Sequence, residues 1–258
     1  MNERVIGAIE RANLLDRTGL ILYTIPNFPD PVTYRKVYSH LCNSVAVSVI
    51  ETTMPVTTGF SSHANDTITR SHRKAAFHNE SWKSILSGLS PSKPHIMVLY
   101  EQTCKQIGFE TIIKESHDKV DGVLLEWNEK EPAGFAEAAQ SRSIEFITCV
   151  GHWMKEREID KELSTALDTP LVYLMSAPMT GGRLFSPIEI IRTVEIVKKI
   201  RPHAKIAAGF GINGEKEIRQ LNEIGGIDAV IIGTSFLKEM EKGEQAAIAF
   251  LQSIEGAL

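Results

Sequence analysis

The stretch Ala208-Gly209-Phe210-Gly211-Ile212-Asn213-Gly214 and, about twenty residues on, Ile231-Ile232-Gly233-Thr234-Ser235 share one form. Each is an apolar run, then glycine among small polar residues, then a helical pattern. A chain written this way ends a buried strand, exposes backbone N–H groups and starts a helix whose positive end faces an anion. Two such units in succession near the C-terminus point to the phosphate site of a (β/α)8 barrel. Outward from them, eight short apolar runs lie at 20–23, 46–50, 95–99, 122–125, 145–150, 171–175, 205–208 and 229–232. They are continuous rather than alternating, as expected of parallel strands covered on both faces. Helical patterns separate them at 32–41, 68–86, 102–115, 134–141, 155–166, 187–200, 215–224 and 236–254. Ser186-Pro187 is a good helix start, with serine as N-cap and proline in the first turn. A further helical segment at 2–15 precedes the first strand and is expected to close the barrel bottom. The fold class is therefore α/β: a TIM barrel, (β/α)8, with an extra N-terminal helix. The competing arrangement is an open doubly wound sheet. That fold uses fewer strands and carries its glycine fingerprint near the start rather than the end.

The 258 residues suit one barrel, read as a single domain over 1–258 with no linker-like stretch. Composition is ordinary, at 43% hydrophobic and 23% charged, with a net charge of −4. A mildly acidic chain offers no general field for nucleic acid or an anionic membrane surface. No apolar run approaches a bilayer span, and Met1-Asn2-Glu3-Arg4-Val5-Ile6 lacks the form of a signal peptide. Cys42, Cys104 and Cys149 are odd in number and show no metal spacing, so they read as reduced thiols of a cytoplasmic protein. His63, His72 and His78 fall in one region without the spacing of a helical metal pair. No metal site is expected.

Barrel chemistry sits at the C-terminal ends of strands. That rule selects Thr24, Glu51, Tyr100, Glu101, Glu126, His152, Tyr173 and Ser176, together with the two glycine loops. Glu51 follows Val47-Ser48-Val49-Ile50. A carboxylate at a barrel mouth is desolvated, which raises its pKa and lets it exchange protons near neutral pH. The same position also suits a loop charge paired with a basic neighbour. The loop Thr57-Thr58-Gly59-Phe60-Ser61-Ser62-His63-Ala64-Asn65-Asp66-Thr67 is long, polar and rich in hydroxyls, as functional lids are. His63 and Asp66 in it are candidate acids or bases; Asp66 also suits the cap of a helix beginning near Thr67. Tyr173 alternates with apolar neighbours in strand six. It is a candidate to bond a substrate or orient Glu51, and equally a buried tyrosine satisfying its own hydroxyl. Gly181 or Gly182, in the connection from Ser176 to Ser186, can bring backbone close to an anion.

These pieces together resemble the α subunit of tryptophan synthase. The match is strongest from 171 to about 238. Tyr173-Leu174-Met175-Ser176, Thr180-Gly181, Gly209-Phe210-Gly211-Ile212 and Gly233-Thr234 fall there in the family's order and spacing. Thr24, Ile50-Glu51 with Pro55, Tyr100 and Thr67-Ile68 extend it over nearly the whole chain. The resemblance implies retro-aldol cleavage of indole-3-glycerol phosphate to indole and glyceraldehyde 3-phosphate, with no cofactor. By the same resemblance Glu51 is the general acid–base that protonates the indole ring carbon. Gly181, Gly211, Gly233 and Thr234 hold the substrate phosphate, and Tyr173 stands near the glutamate. A β-type subunit is the implied protein partner.

The chain also departs from the family. A second catalytic carboxylate, which accepts the indole N–H proton, sits there in a proline-phenylalanine-serine-aspartate-proline run followed by an alanine-aspartate-glycine run. Here the corresponding loop, 55–66, has neither run and is longer by about two residues. Losing a general acid–base of this kind costs on the order of 10²–10⁴ in rate. Asp66 and His63 are the substitutes within the loop, and Asp66 is taken as the second carboxylate. The same loop contacts the β subunit in the family, so its rewriting bears on that partnership too. The family's aspartate after strand four is replaced by Glu126-Trp127-Asn128-Glu129, and Ala177 stands where the family carries an arginine. Three functions stay open: the family's lyase reaction; a divergent paralogue acting on another phosphorylated compound; and a non-catalytic phosphate-ligand binder that regulates a partner.

Overall fold

The computed structural model describes residues 3–126, 134–165, 170–184 and 186–258. Its strands are β1 (Gly19–Tyr23), β2 (Val47–Thr53), β3 (His95–Tyr100), β4 (Gly122–Glu126), β5 (Glu145–Phe146), β6 (Thr148–Gly151), β7 (Leu171–Met175), β8 (Lys205–Gly209) and β9 (Ala229–Ile232). All pair in parallel, in the order β5-β4-β3-β2-β1-β9-β8-β7-β6, with helices around them. β1, β2, β3 and β9 are buried along their whole length, which is why their sequences carry continuous rather than alternating apolar runs. This is the expected TIM barrel.

The single strand expected at 145–150 is instead β5 and β6, parted at Ile147. β5 pairs with β4, and β6 pairs with β7. The ring closes across that residue, whose N–H donates to Val123 O at 2.9 Å. At the joint Glu145 Oε1 accepts from Leu171 N at 2.6 Å, so a side chain supplies a bond that a ladder would otherwise make. β2 outlasts its apolar run by three residues, Glu51, Thr52 and Thr53, all buried.

Three expected helices are broken in two. Asp66–Ala76 and Trp82–Gly88 replace 68–86, with the Ser81 side chain capping the second by accepting from Ser84 N. Glu101–Ile107 and Phe109–Ser116 hinge at Gly108 (φ 83°), and Thr234–Lys242 and Glu244–Glu255 at Gly243 (φ 117°). The helix expected at 155–166 runs from Glu156 to Glu162 and tightens into a 3₁₀ turn, Leu163–Thr165; Ala166 lies outside the described residues.

The N-terminal helix is Glu3–Asn13, its expected Asn2 start lying outside the described residues. It buries Val5, Ala8 and Ile9 against β1 and β2 at the ends where those strands begin. Asn13 Nδ2 donates to Asp228 O at 2.9 Å, just ahead of β9. Asp228 in turn holds Lys198 and Lys205, at 3.3 and 3.1 Å. The bottom is therefore plugged, and the opposite mouth is left for chemistry. No helix among the described residues is long and apolar enough to cross a membrane.

Candidate active site

Strand register sets which side chains meet at the mouth. Tyr23 on β1 is level with Glu51 on β2, and Tyr100 on β3 with Glu126 on β4. In a parallel pair level residues face the same side. These four line a cleft together with Tyr173 of β7 and, from the loops after β7, β8 and β9, Gly181, Gly211, Gly233 and Thr234. The expected catalytic pair Glu51 and Tyr173 and all four expected phosphate residues thus come together in one cavity. Asp66 does not line it.

Glu51 lies within β2, not in a loop beyond it, and is 4% exposed. Its Oε1 has no hydrogen-bond partner, and no ion pair reaches it among the described residues. Burial, and next the charge of Glu126, push its carboxyl up to about 8. The open alternative of a paired loop charge gives way to a desolvated acid that is protonated at neutral pH. Glu126 closes β4 and accepts from Ser61 Oγ. Burial raises its pKa too, opposed by that hydrogen bond and by His63. So two carboxyls share the cavity. Glu126 is one of the strand-end residues of the sequence, and it is this carboxyl, not one from the loop, that faces the cavity with Glu51. The rest of that expected region, Trp127-Asn128-Glu129, lies outside the described residues.

Asp66 is exposed, in the first turn of its helix. The cap is Asn65, whose Oδ1 accepts from Ile68 N at 3.0 Å. Asn65 also reaches across the mouth. Its N–H donates to Thr180 Oγ1 at 3.0 Å, and its Nδ2 to Thr180 O at 2.6 Å and Thr234 Oγ1 at 3.2 Å. His63 O accepts from Thr180 N at 2.9 Å, and the His63 ring stacks on Trp153 at 6.1 Å. The loop after β2 is therefore stitched to Thr180 and Thr234 by Asn65, a residue the sequence reading passed over although the Asn-Asp-Thr-Ile helix start marks it.

In the glycine loops, Gly181 and Gly211 have φ of 64° and 75°. A Cβ on Gly181 would lie 2.7 Å from Asn65 Nδ2, and one on Gly211 2.8 Å from Ala177 Cβ, so each carries both a left-handed backbone and no room. The helix Thr234–Lys242 opens directly after Gly233, with first-turn N–H groups that have no intrahelical acceptor. Its positive end suits an anion. The β8 unit does not repeat this design. Its helix Glu215–Ile224 begins with two acids, and Glu217 Oε2 already accepts from Asn213 N at 3.2 Å. From β8 it is Phe210, Gly211 and Ile212 that reach the cavity, not a helix terminus. Tyr173 packs over Gly209, where a Cβ would lie 2.3 Å from its Oη. Among the described residues no three His, Cys, Asp or Glu side chains group to hold a metal.

Comparison with known proteins bears on the family and the fold. The family model of the tryptophan synthase alpha chain matches residues 9–256. The tryptophan synthase alpha chain of Caldicellulosiruptor saccharolyticus is 24% identical over 169 residues, 64% of each chain. That of Sulfurisphaera tokodaii is 32% identical over 88 residues, 34% of each. The chain thus spans less than two thirds of the length of the curated relatives it matches. Among solved structures, a tryptophan synthase from M. tuberculosis in its aminoacrylate-bound form superposes with a TM-score of 0.83 at 15% identity, covering 98% of both chains. The alpha chain from Legionella pneumophila gives 0.78 at 20% identity, covering 98% of this chain and 96% of that one. At such identities the superpositions speak for the barrel, and the family model, running from residue 9 to 256 of 258, speaks for descent: the chain belongs to the tryptophan synthase alpha chain family.

Proposed function

We propose that this protein is a carbon–carbon lyase that cleaves indole-3-glycerol phosphate to indole and glyceraldehyde 3-phosphate without a cofactor. The observation that carries the reading is Glu51: a carboxyl kept neutral by burial, its Oε1 without a hydrogen-bond partner among the described residues, in a cavity also lined by Gly181, Gly211, Gly233 and Thr234. The phosphate sits on Gly181, Gly211, Gly233 and Thr234. Glu51 gives its proton to the ring carbon that bears the side chain, while the ring N–H proton passes to Glu126. The Glu51 carboxylate then takes the proton of the adjacent side-chain hydroxyl. The carbon–carbon bond breaks, its electron pair returns to the ring, and the ring nitrogen recovers its proton from Glu126. Glu126 thereby takes the second-carboxylate role that Asp66, exposed and outside the cavity, does not fill. Tyr173 walls the ring site.

The test is release of indole by the purified protein from indole-3-glycerol phosphate. Glu51→Gln should lower turnover by about 10²–10⁴, the usual worth of a general acid–base. Absence of indole at every enzyme concentration overturns the reading. One observation favours a second reading, a paralogue acting on another phosphorylated compound: the loop after β2 brings no carboxylate into the cavity. Thermal stabilisation by glycerol phosphates without turnover would instead mark a non-catalytic binder. A β-type subunit belongs to the first reading as its protein partner, docking on the loop after β2. The three free thiols, Cys42, Cys104 and Cys149, suit a reducing, cytoplasmic setting.

A further inference from the structure

The acid–base scheme leaves three residues beside the cavity unused, and they form a hydrogen-bonded row. His72 comes from the helix Asp66–Ala76 and is wholly buried; Tyr23 and Tyr100 end β1 and β3 and face the cavity. The Val56 N–H donates to His72 Nδ1 at 3.2 Å. A backbone amide only donates, so Nδ1 carries no proton. Burial holds the ring neutral, its pKa pushed down to about 3, so the proton is on Nε2. Nε2 lies 2.6 Å from Tyr23 Oη, which therefore accepts. Tyr23 Oη lies 3.2 Å from Tyr100 Oη. Of the two phenolic protons, one fills the contact between the oxygens whichever ring donates. The other has no place in the row and is left for the cavity both rings line.

We infer that Tyr23 and Tyr100 form a one-donor subsite for a hydroxyl or carbonyl oxygen on the carbon chain of a phosphorylated ligand, with His72 as the positioning residue that sets its polarity. The inference rests on the proposed function for the ligand's direction. Tyr23 is level with Glu51 on the neighbouring strand, and its Cβ and Cδ1 lie 3.4 Å from where a Gly233 Cβ would be. A chain running from the anion cradle to Glu51 passes the phenolic pair. An oxygen there accepts the spare O–H; a deoxygenated chain leaves a buried donor unmade, which costs affinity.

The probes are glycerol 3-phosphate and propyl phosphate, titrated calorimetrically. The wild type should prefer glycerol 3-phosphate by about tenfold, the scale of one hydrogen bond. Tyr23→Phe and Tyr100→Phe each leave one O–H and should keep most of that preference. The double variant should bring the ratio to about one while propyl phosphate binding holds. ¹⁵N spectroscopy of labelled histidine should place the His72 proton on Nε2. Equal wild-type affinity for the two phosphates, a full preference surviving in the double variant, or a proton on Nδ1 overturns the subsite alone. Failure of both phosphates to bind the wild type overturns the functional reading and the subsite together. The wild-type preference and the histidine spectrum need no variant, so they decide the matter where the double variant does not fold.

Discussion

Burial of Glu51 in β2 has a stability consequence with a definite sign. Its carboxyl titrates near 4.5 in an unfolded chain and near 8 in the fold. Between those values the folded protein holds a proton that the unfolded chain has released, so stability falls as pH rises through this window and levels off above about 8. Each tenfold difference in proton affinity between the two states is worth about 1.4 kcal/mol. Glu51→Gln cannot ionise and escapes this loss. Urea unfolding across a pH series should show the variant gaining on the wild type from pH 4.5 upward, by several kcal/mol at most, with a plateau above pH 8. A variant less stable than the wild type at pH 8.5 would contradict the buried neutral acid. The residue itself was legible in the sequence because it ends an apolar run at a barrel mouth. Its depth was not. Thr52 and Thr53 are as buried as the run before them, and a hydrophobicity pattern stops at the first polar side chain.

The element that decides the site's shape is the loop from β2 to the helix Asp66–Ala76. Its hydroxyl-rich composition announced a functional loop, but composition does not say which residue crosses the mouth. Asp66 is the loop's carboxylate, but the helix start turns it outward and gives Asn65 the cap and the three bonds to Thr180 and Thr234. Helix breaks were missed for a related reason. An amphipathic repeat continues through a hinge such as Gly108 when both halves cover the same core. The two loop residues separate cleanly by experiment. Asn65→Ala loses the cap and unhooks the loop from Thr180 and Thr234. It should weaken glycerol 3-phosphate binding by about tenfold, the scale of one or two lost hydrogen bonds. Asp66→Asn should leave binding and indole release within about twofold of the wild type. A reversed ranking in the same calorimetric and turnover assays would return the second carboxylate to Asp66.

For the molecule as a whole, eight apolar runs were enough to read a barrel, because strands covered on both faces have no polar side to hide them. Where the ring closes was not readable, since closure depends on partners distant in sequence. It falls at Ile147, between two strands of two and four residues. At this short fifth stave the Leu171 N–H of β7 donates to the Glu145 side chain rather than to a neighbouring strand. Glu145 is 1% exposed, so water cannot replace it. Glu145→Ala therefore removes an acceptor from a buried amide and opens a small void beside it. Together these should cost about 2–4 kcal/mol in urea unfolding. Glu145→Gln keeps a carbonyl oxygen at the same place and should cost clearly less. If the joint closes the barrel, the loss in Glu145→Ala should also speed exchange of the amides of β6 and β7 before those of β1 and β2, which lie away from the joint in the strand order. Equal costs for alanine and glutamine, or uniform exchange across all strands, would make Glu145 an ordinary core residue and move the closure elsewhere on the ring.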